Sequence, residues 1–474
     1  MDINEIAHKF GVSVNGSAYY SDCISEWRNI YEGNPKWKTA KKGGLFSRGD
    51  RELLRLNMAK VLCDSLSALT FSEQCEIVLD NEDYQKYVDS ALNSNGFWKQ
   101  LPELLCHAYA MGGCVLKCYL ENGNPKIDYI IADRFIPTIY NGRGINEGIF
   151  ISTTSSEKDF YHLLEYHGSA RSDFKLFKSS YADTLGTMVE LSALYPDLSP
   201  TVHYLDSTPM FAYFRPFVSN NKEYDTPLGM SVFANALDTL MSLDTIFDSF
   251  LREFVLGKKR IIVPSSCIRT IVDPQTGEQL RYFDSDDEAF VALKNEDEKD
   301  VKITDNTVEL RVEQHVSAIN AYLNILCMQT GLSAGTFSFD VQQGMKTATE
   351  IISQESKTAR TVKNNKNLLA ETIEGIVRAL IILGQMSGTL TPASYSVTVG
   401  WNDNIIIDDN TLIDNNIKLV SAGLKSKVKA IMEVQKCDEE TAKQELERIA
   451  RESPVGGGMM DFFGGDTGDG SRGS

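Results

Sequence analysis

The sequence predicts an α+β fold, and three observations carry that expectation. Apolar residues recur at three- and four-residue steps through several long stretches, as on the buried stripe of a helix. Between residues 114 and 166, short apolar or alternating runs are separated by Asn-Gly turns, as in antiparallel strands. From 226 to 386, two long helical stretches bracket an acidic β-rich insert, and a Gly-rich loop then leads into a third long helix. That layout has the character of a mechanical part, struts carrying an insert at one end and a loop at the other.

Length and composition bound the classes. A chain of 474 residues has room for about two to four domains, each with its own core. With 42% hydrophobic and 24% charged residues, wholesale disorder is excluded. The formal net charge of −18 argues against a surface whose main task is gripping phosphates. It leaves room for a protein that DNA passes without adhering. The nine cysteines (Cys23, Cys63, Cys75, Cys106, Cys114, Cys118, Cys267, Cys327, Cys437) are odd in number, scattered and mostly in apolar surroundings. A reducing site of assembly is expected, without a disulfide framework. The start, Met-Asp-Ile-Asn-Glu, lacks the basic and apolar regions of a signal peptide, and no window of 18 apolar residues appears, so no membrane partner is expected.

Along the chain, the spacing predicts a helix and aromatic turn around Trp27 and Trp37. Helices follow over 51–71, with Leu54, Met58, Val61, Leu62, Leu66 and Leu69 on one side, and over 84–92 and 97–110. Gly112-Gly113 breaks the pattern, and strands are expected at 114–120, 127–131, 137–140, 148–153 and 160–166, with Asn-Gly turns at 122 and 141. Residues 167–209 are the least legible part. Thr226-Pro227 reads as a helix cap with proline in the first turn, opening a helix from 228 to 256 that ends at Gly257. Twenty-nine residues make a rod of about 44 Å. Strands are expected at 260–263 and 268–272, a turn at 273–277, a second helix from about 312 to 330 stopped by Gly331, and a helix from Thr347 to 386. A strand at 395–400 precedes helical sequence from 411 to 452, broken at Gly423 and near Cys437. The tail from Pro454 holds too many glycines to pack.

The search for chemistry returns little. The chain lacks a phosphate-cradling Gly-x-x-x-x-Gly-Lys-Ser/Thr loop, a Gly-x-Ser-x-Gly elbow and a His-Glu-x-x-His pair. His107 with Cys106, Cys114 and Cys118 fits no common zinc spacing and reads as ordinary core thiols, so neither metal nor cofactor is expected. The acids Asp284, Asp286, Asp287, Glu288, Glu296, Asp297, Glu298 and Asp300 are too dense for a buried catalytic dyad. They suit a solvated surface or, next, a partner-docking surface. Lys357, Arg360, Lys363 and Lys366 form a basic stripe, either solvated or facing neighbours or phosphates. The loop after Gly331 carries Thr336, Phe337, Ser338, Phe339, Asp340, Val341, Gln342, Gln343, Gly344 and Lys346. Exposed phenylalanines there would be costly for a mere connector; the competing reading is a loop tucked against the core.

The order of these parts resembles the portal proteins of tailed bacteriophages, in the branch found in long-tailed phages of Gram-positive bacteria. The resemblance rests on Trp27-Arg28-Asn29-Ile30-Tyr31-Glu32-Gly33, on Gly257-Lys258-Lys259-Arg260-Ile-Ile-Val-Pro264, on Leu310-Arg-Val-Glu-Gln-His315 leading to Gly331-Leu332-Ser333-Ala334-Gly335, and on Phe339-Asp340 followed by Gly344-Met-Lys-Thr-Ala-Thr-Glu350. It implies a portal-type fold assembling into a closed ring of, usually, twelve copies. Residues 1–225 would be wing, 226–257 and 312–331 the stem helices, 258–311 the clip, 332–346 the tunnel loop, 347–402 a return to the wing, 403–453 the crown and 454–474 a disordered tail. It also implies a non-enzymatic role at one vertex of a virion assembled in the host cytoplasm. Double-stranded DNA would pass non-specifically along the tunnel loop. The partners implied are terminase large subunit and head–tail adaptor at the acidic clip, with major capsid and scaffold proteins elsewhere. The rival readings are another phage capsid or scaffold component and, behind it, an acidic hydrolase working through Asp286 and Glu288.

Overall fold

The structure, a computed structural model, describes residues 2–14, 18–41, 50–71, 74–141, 144–156, 158–224, 226–257, 261–264, 270–272, 279–281, 290–293, 304–305, 309–339, 348–401, 409–435 and 437–452. It divides into two compact units, Met1–Trp401 and Asn402–Ser474. The first holds helices α1 (Ile3–Lys9), α2 (Ala18–Tyr31), α3 (Met58–Thr70), α4 (Glu82–Ser94), α5 (Phe97–Met111), α6 (Leu237–Leu256), α7 (Val312–Thr330) and α8 (Ala348–Met386); the second holds α9 (Asp409–Ser421), α10 (Lys427–Gln435) and α11 (Glu439–Glu452).

The sheets of the first unit are antiparallel where the turns allow it. Strand Cys114–Glu121 pairs with Asn124–Ile131 through a two-residue turn in which Asn122 and Gly123 both take positive φ, +52° and +77°. That is the hairpin turn Asn-Gly favours. On its other edge the same strand pairs with Phe211–Phe214. A larger sheet runs Thr187–Val189, Arg171–Ser179, Asp159–Gly168, Gly144–Ser156 and Phe135–Asn141, with Thr201–His203 also on the Arg171–Ser179 strand. The stretch that the sequence left illegible therefore supplies three strands of this sheet. Cys114–Glu121 is buried on both faces over most of its length, because the small sheet packs against α8 and Phe211 stacks against Phe135 and Phe150 of the larger sheet. Its near-continuous apolar run reflects this double burial. α1, absent from the sequence reading, inserts Ile6 and Ala7 among Ile136, Ile149, Leu164 and Phe177.

The carboxyl-terminal half of α8 is the axis of the core. Leu369, Ile373, Ile376, Val377, Leu380 and Ile381 are fully buried, so the helix is apolar nearly all round, as an enclosed helix must be. Two expectations need correction. The helix expected over 51–71 is a strand at Asp50–Glu52 followed, after a non-helical link, by α3; Leu62 and Leu66 are buried, whereas Leu54, Val61 and Leu69 are exposed. The helix expected from 228 begins only at Leu237. Residues 226–236 are irregular and largely buried, since Gly229 crosses Gly112 so closely that a Cβ on Gly229 would lie 2.3 Å from the Gly112 carbonyl. Their backbone is bonded elsewhere: Val232 N donates to Tyr109 O at 3.0 Å and Gly229 N to the Tyr213 hydroxyl at 3.2 Å. Thr226 Oγ1 does accept from Leu228 N at 3.3 Å, a local turn bond that no helix follows. The strands Ile261–Pro264, Thr270–Val272, Gln279–Arg281, Phe290–Leu293 and Thr304–Asp305 fall within the expected insert, with Ile261–Pro264 parallel to Phe290–Leu293 and antiparallel to Thr304–Asp305.

Candidate functional site: the helix pair and its loop

α6 and α7 run antiparallel. Near the start of α6, Thr239 Oγ1 donates to Gln329 Oε1 of the last turn of α7 at 2.8 Å. At the other end Glu253 receives two bonds from Arg311, at 2.9 and 2.8 Å, and the Phe250 ring lies 5.4 Å from that of His315. The Arg311 guanidinium holds the Glu253 carboxyl down at about 2.

The base of this pair is clamped by two carboxylates one helical turn apart. Asp244 accepts from Trp37 Nε1 at 2.9 Å and Leu56 N at 3.0 Å; Asp248 accepts two bonds from Arg51 at 2.6 Å and one from Leu54 N at 3.1 Å. Their titrations diverge: burial pushes Asp244 above the usual carboxylate range, whereas the Arg51 hydrogen bonds hold Asp248 below it. Neither acid was singled out by the sequence reading. The one signal available was an acid at each of two positions on the apolar side of an amphipathic helix.

Toward the other end the same apolar face comes out of cover. Leu251 is 46% exposed, Phe254 42% and Val255 53%, with Leu310 and Val312 of the facing segment also exposed.

The loop after α7 is held at both sides. Gly331 ends the helix with φ +81°, and a Cβ there would lie 3.0 Å from Thr361 Oγ1. Asn320 and Asn324, one turn apart on α7, accept from Phe339 N at 2.7 Å and Gly335 N at 2.8 Å. From α8, Thr361 Oγ1 donates to Gly331 O at 2.7 Å, Thr358 Oγ1 accepts from Ser333 N at 2.9 Å, and Lys357 Nζ reaches Met328 O at 2.9 Å. Phe337 packs against the main core, and Phe339 lies 6.5 and 6.4 Å from the rings of Phe247 and Phe250. Up to residue 339, then, the loop is tucked in, and the expectation of two exposed phenylalanines is corrected: Phe337 is part-buried and only Phe339 is exposed. Leu332 and Ser333 are both buried, and the apolar burial of Leu332 favours this docking.

Of the loop residues singled out by sequence, Thr336, Phe337, Ser338 and Phe339 lie here; Asp340, Val341, Gln342, Gln343, Gly344 and Lys346 lie outside the described residues, as do all eight acids of the 284–300 run. Lys357 binds the end of α7, Lys366 sits 5.4 Å over the Trp401 ring, and Arg360 and Lys363 are exposed. Cys114 and Cys118 are fully buried, with burial raising both thiols, and His107 packs edge-on against Tyr31 at 5.9 Å. Among the described residues, no group of three or more His, Cys, Asp or Glu could hold a metal ion. No helix among the described residues is long and apolar enough to cross a membrane.

A second polar cluster was invisible in sequence. Lys117 Nζ lies 2.8 Å from Glu165 Oε2 and 3.1 Å from Asp128; His167 approaches the same Glu165 oxygen at 3.5 Å and bonds Ser172 Oγ at 3.0 Å. Burial works to raise Glu165, but Lys117 and His167 outweigh it and hold the carboxyl at about 2; burial keeps His167 below its ordinary value. This cluster ties the two sheets together.

Fold and site define an α+β protein organised around a braced helix pair. The chain belongs to the family described as phage portal protein, SPP1 Gp6-like, which matches it over residues 18–454. Comparison with curated proteins finds no match. Among solved structures, a chain from the virion of a native gene transfer agent particle is similar at 10% identity and a TM-score of 0.46, covering 91% of this chain and 98% of that one. A chain from the neck of an empty gene transfer agent particle is similar at 10% identity and a TM-score of 0.45, over the same shares.

Proposed function

We propose that this portal-family chain assembles into a closed ring of twelve copies at one capsid vertex and serves as the channel through which double-stranded DNA enters and leaves. The observation that carries the reading is the family match across nearly the whole chain. Two physical features support it. The apolar face of α6 that emerges beyond Phe250 is only about half covered by the described residues of its own copy, and a head-to-tail ring provides further cover at every copy. An acidic chain lets phosphates slide past without the counterion release that makes DNA stick.

In this reading residues 1–225 and 347–402 form the wing, 226–257 and 312–331 the stem, 258–311 the clip, 332–346 the tunnel loop, and 403–453 the crown. The clip acids dock terminase and later the head–tail adaptor. The chain carries no catalytic residue; the pumping ATPase is a separate protein. Native mass measurement and negative-stain imaging test the reading. Twelve copies of the 52.8-kDa chain give an annular particle of about 630 kDa, whereas a solitary chain at micromolar concentration sinks it. Removal of 336–343 is expected to leave rings intact and to impair packaging or retention of DNA.

A further inference from the structure

The second unit carries a patch that its own helices leave open. α9 and its exit turn place Ile413, Ile417, Val420 and Leu424 at four-, three- and four-residue steps, one stripe of a helix. Yet Ile413 is 38% exposed, Ile417 42% and Leu424 77%, the highest of the large aliphatic side chains among the described residues, whereas Asn416 is buried at 4%. The helix turns a polar residue inward and its apolar stripe outward, an unfavourable arrangement unless something covers the stripe. Flanking it, Lys418, Lys427 and Lys429 are exposed and take no ion pair among the described residues, while Lys425 is held by Glu433. Between Lys418 and Lys429 the sequence has no acid, against the grain of a strongly acidic chain.

The same chain contains a segment of complementary character. Beyond α11, Met459, Met460, Phe462 and Phe463 form one apolar block bounded by glycines, with Asp461, Asp466 and Asp469 outnumbering Arg472. The block is also within reach. α10 and α11 contact each other across a three-residue link, 436–438, and Asp438 accepts from Thr441 N at 3.0 Å to start α11. α11 has 14 residues, a rise of about 21 Å. Residues 453–459 then span up to about 24 Å.

We propose that the corner between α9 and α10 is the docking surface for residues 459–463 of the same chain. The apolar block covers Ile417, Val420 and Leu424, and its aspartates meet Lys418, Lys427 and Lys429. The inference is independent of ring formation and of DNA passage.

Amide hydrogen exchange on the full chain tests it. In Phe462→Ala/Phe463→Ala, amides over 417–430 are expected to exchange about fivefold faster or more. Lys427→Glu/Lys429→Glu should give the same loss, and added salt should reproduce it in part. None of these four side chains is a described core residue, and an unchanged thermal melt checks that the fold is kept. A synthetic peptide spanning 455–467, added to the chain truncated after Glu452, should restore the protection; the same peptide with both phenylalanines replaced by alanine should not. Unchanged exchange at 417–430 in both double variants overturns the proposal. So does protection that vanishes on dilution, because the segment would then come from another copy.

Discussion

The base and the tip of the α6–α7 pair carry the same kind of amphipathic sequence in opposite surroundings. At the base, Leu240, Leu243, Leu323 and Leu326 are buried, and Asp244 and Asp248 tie the helix to the segment from Trp37 to Leu56. At the tip, Leu251, Phe254 and Val255 continue the apolar face, and the described residues of their own copy cover only about half of each. An apolar stripe therefore states which residues need cover. It does not state whether the covering atoms belong to the same chain.

The largest expected effect breaks that contrast if it fails. Phe254→Asp with Val255→Asp should reduce the proposed annular particle to single chains by native mass measurement, with the thermal melt of the single chain unchanged; a melt lowered as much as by a base substitution would show that the tip is already packed. Next, Leu243→Ala should lower the unfolding free energy by about 3 kcal/mol in denaturant titration, as for a fully buried leucine, whereas Phe254→Ala should stay within about 0.5 kcal/mol in the unassembled chain. Asp248→Asn comes third, costing about 2 kcal/mol because the Arg51 guanidinium loses its charged partner while remaining part-exposed.

A pH titration sharpens the comparison further, since Glu165 in the core and Glu253 at the tip are both held at about 2. A carboxyl whose folded value lies below its ordinary 4.5 adds stability above that pH and loses it as pH falls toward 2, because the unfolded chain takes up the proton first. Glu165→Gln should flatten the acid limb of the stability curve. Glu253→Gln should flatten it less, since Arg311 is mostly exposed and solvent screens the pair. His167, held below its ordinary 6.5 by burial, adds a shallower loss as pH falls below that value. The smallest effect is Lys366→Ala, about 0.5 kcal/mol for the cation stacked on Trp401.

Parts of this architecture were legible because their causes are local. Gly331 ends α7 where the sequence placed the stop, since only glycine enters the left-handed region at little cost. Asn122-Gly123 makes its hairpin for the same reason. Thr226-Pro227 misled, because a capping pattern reports local preference and N–H donors of the segment, Val232 N and Gly229 N, were taken by Tyr109 and Tyr213. The exposed phenylalanine expected at 337 failed similarly: the side chains that hold the loop, Asn320, Asn324 and Thr358, come from two helices that no nearby residue announces.

By itself, the sequence determined the α+β class, the long helices at 312–330 and 348–386, the hairpin at 122 and the resemblance to portal proteins, all of which rest on periodicity, turn chemistry or the order of motifs. Only the tertiary structure decided where α6 begins, which acids are buried on it, how Lys117, Glu165 and His167 meet, and which part of an apolar face its own chain leaves bare. Those features depend on contacts between residues far apart in sequence, and a local pattern holds no record of what will lie against it.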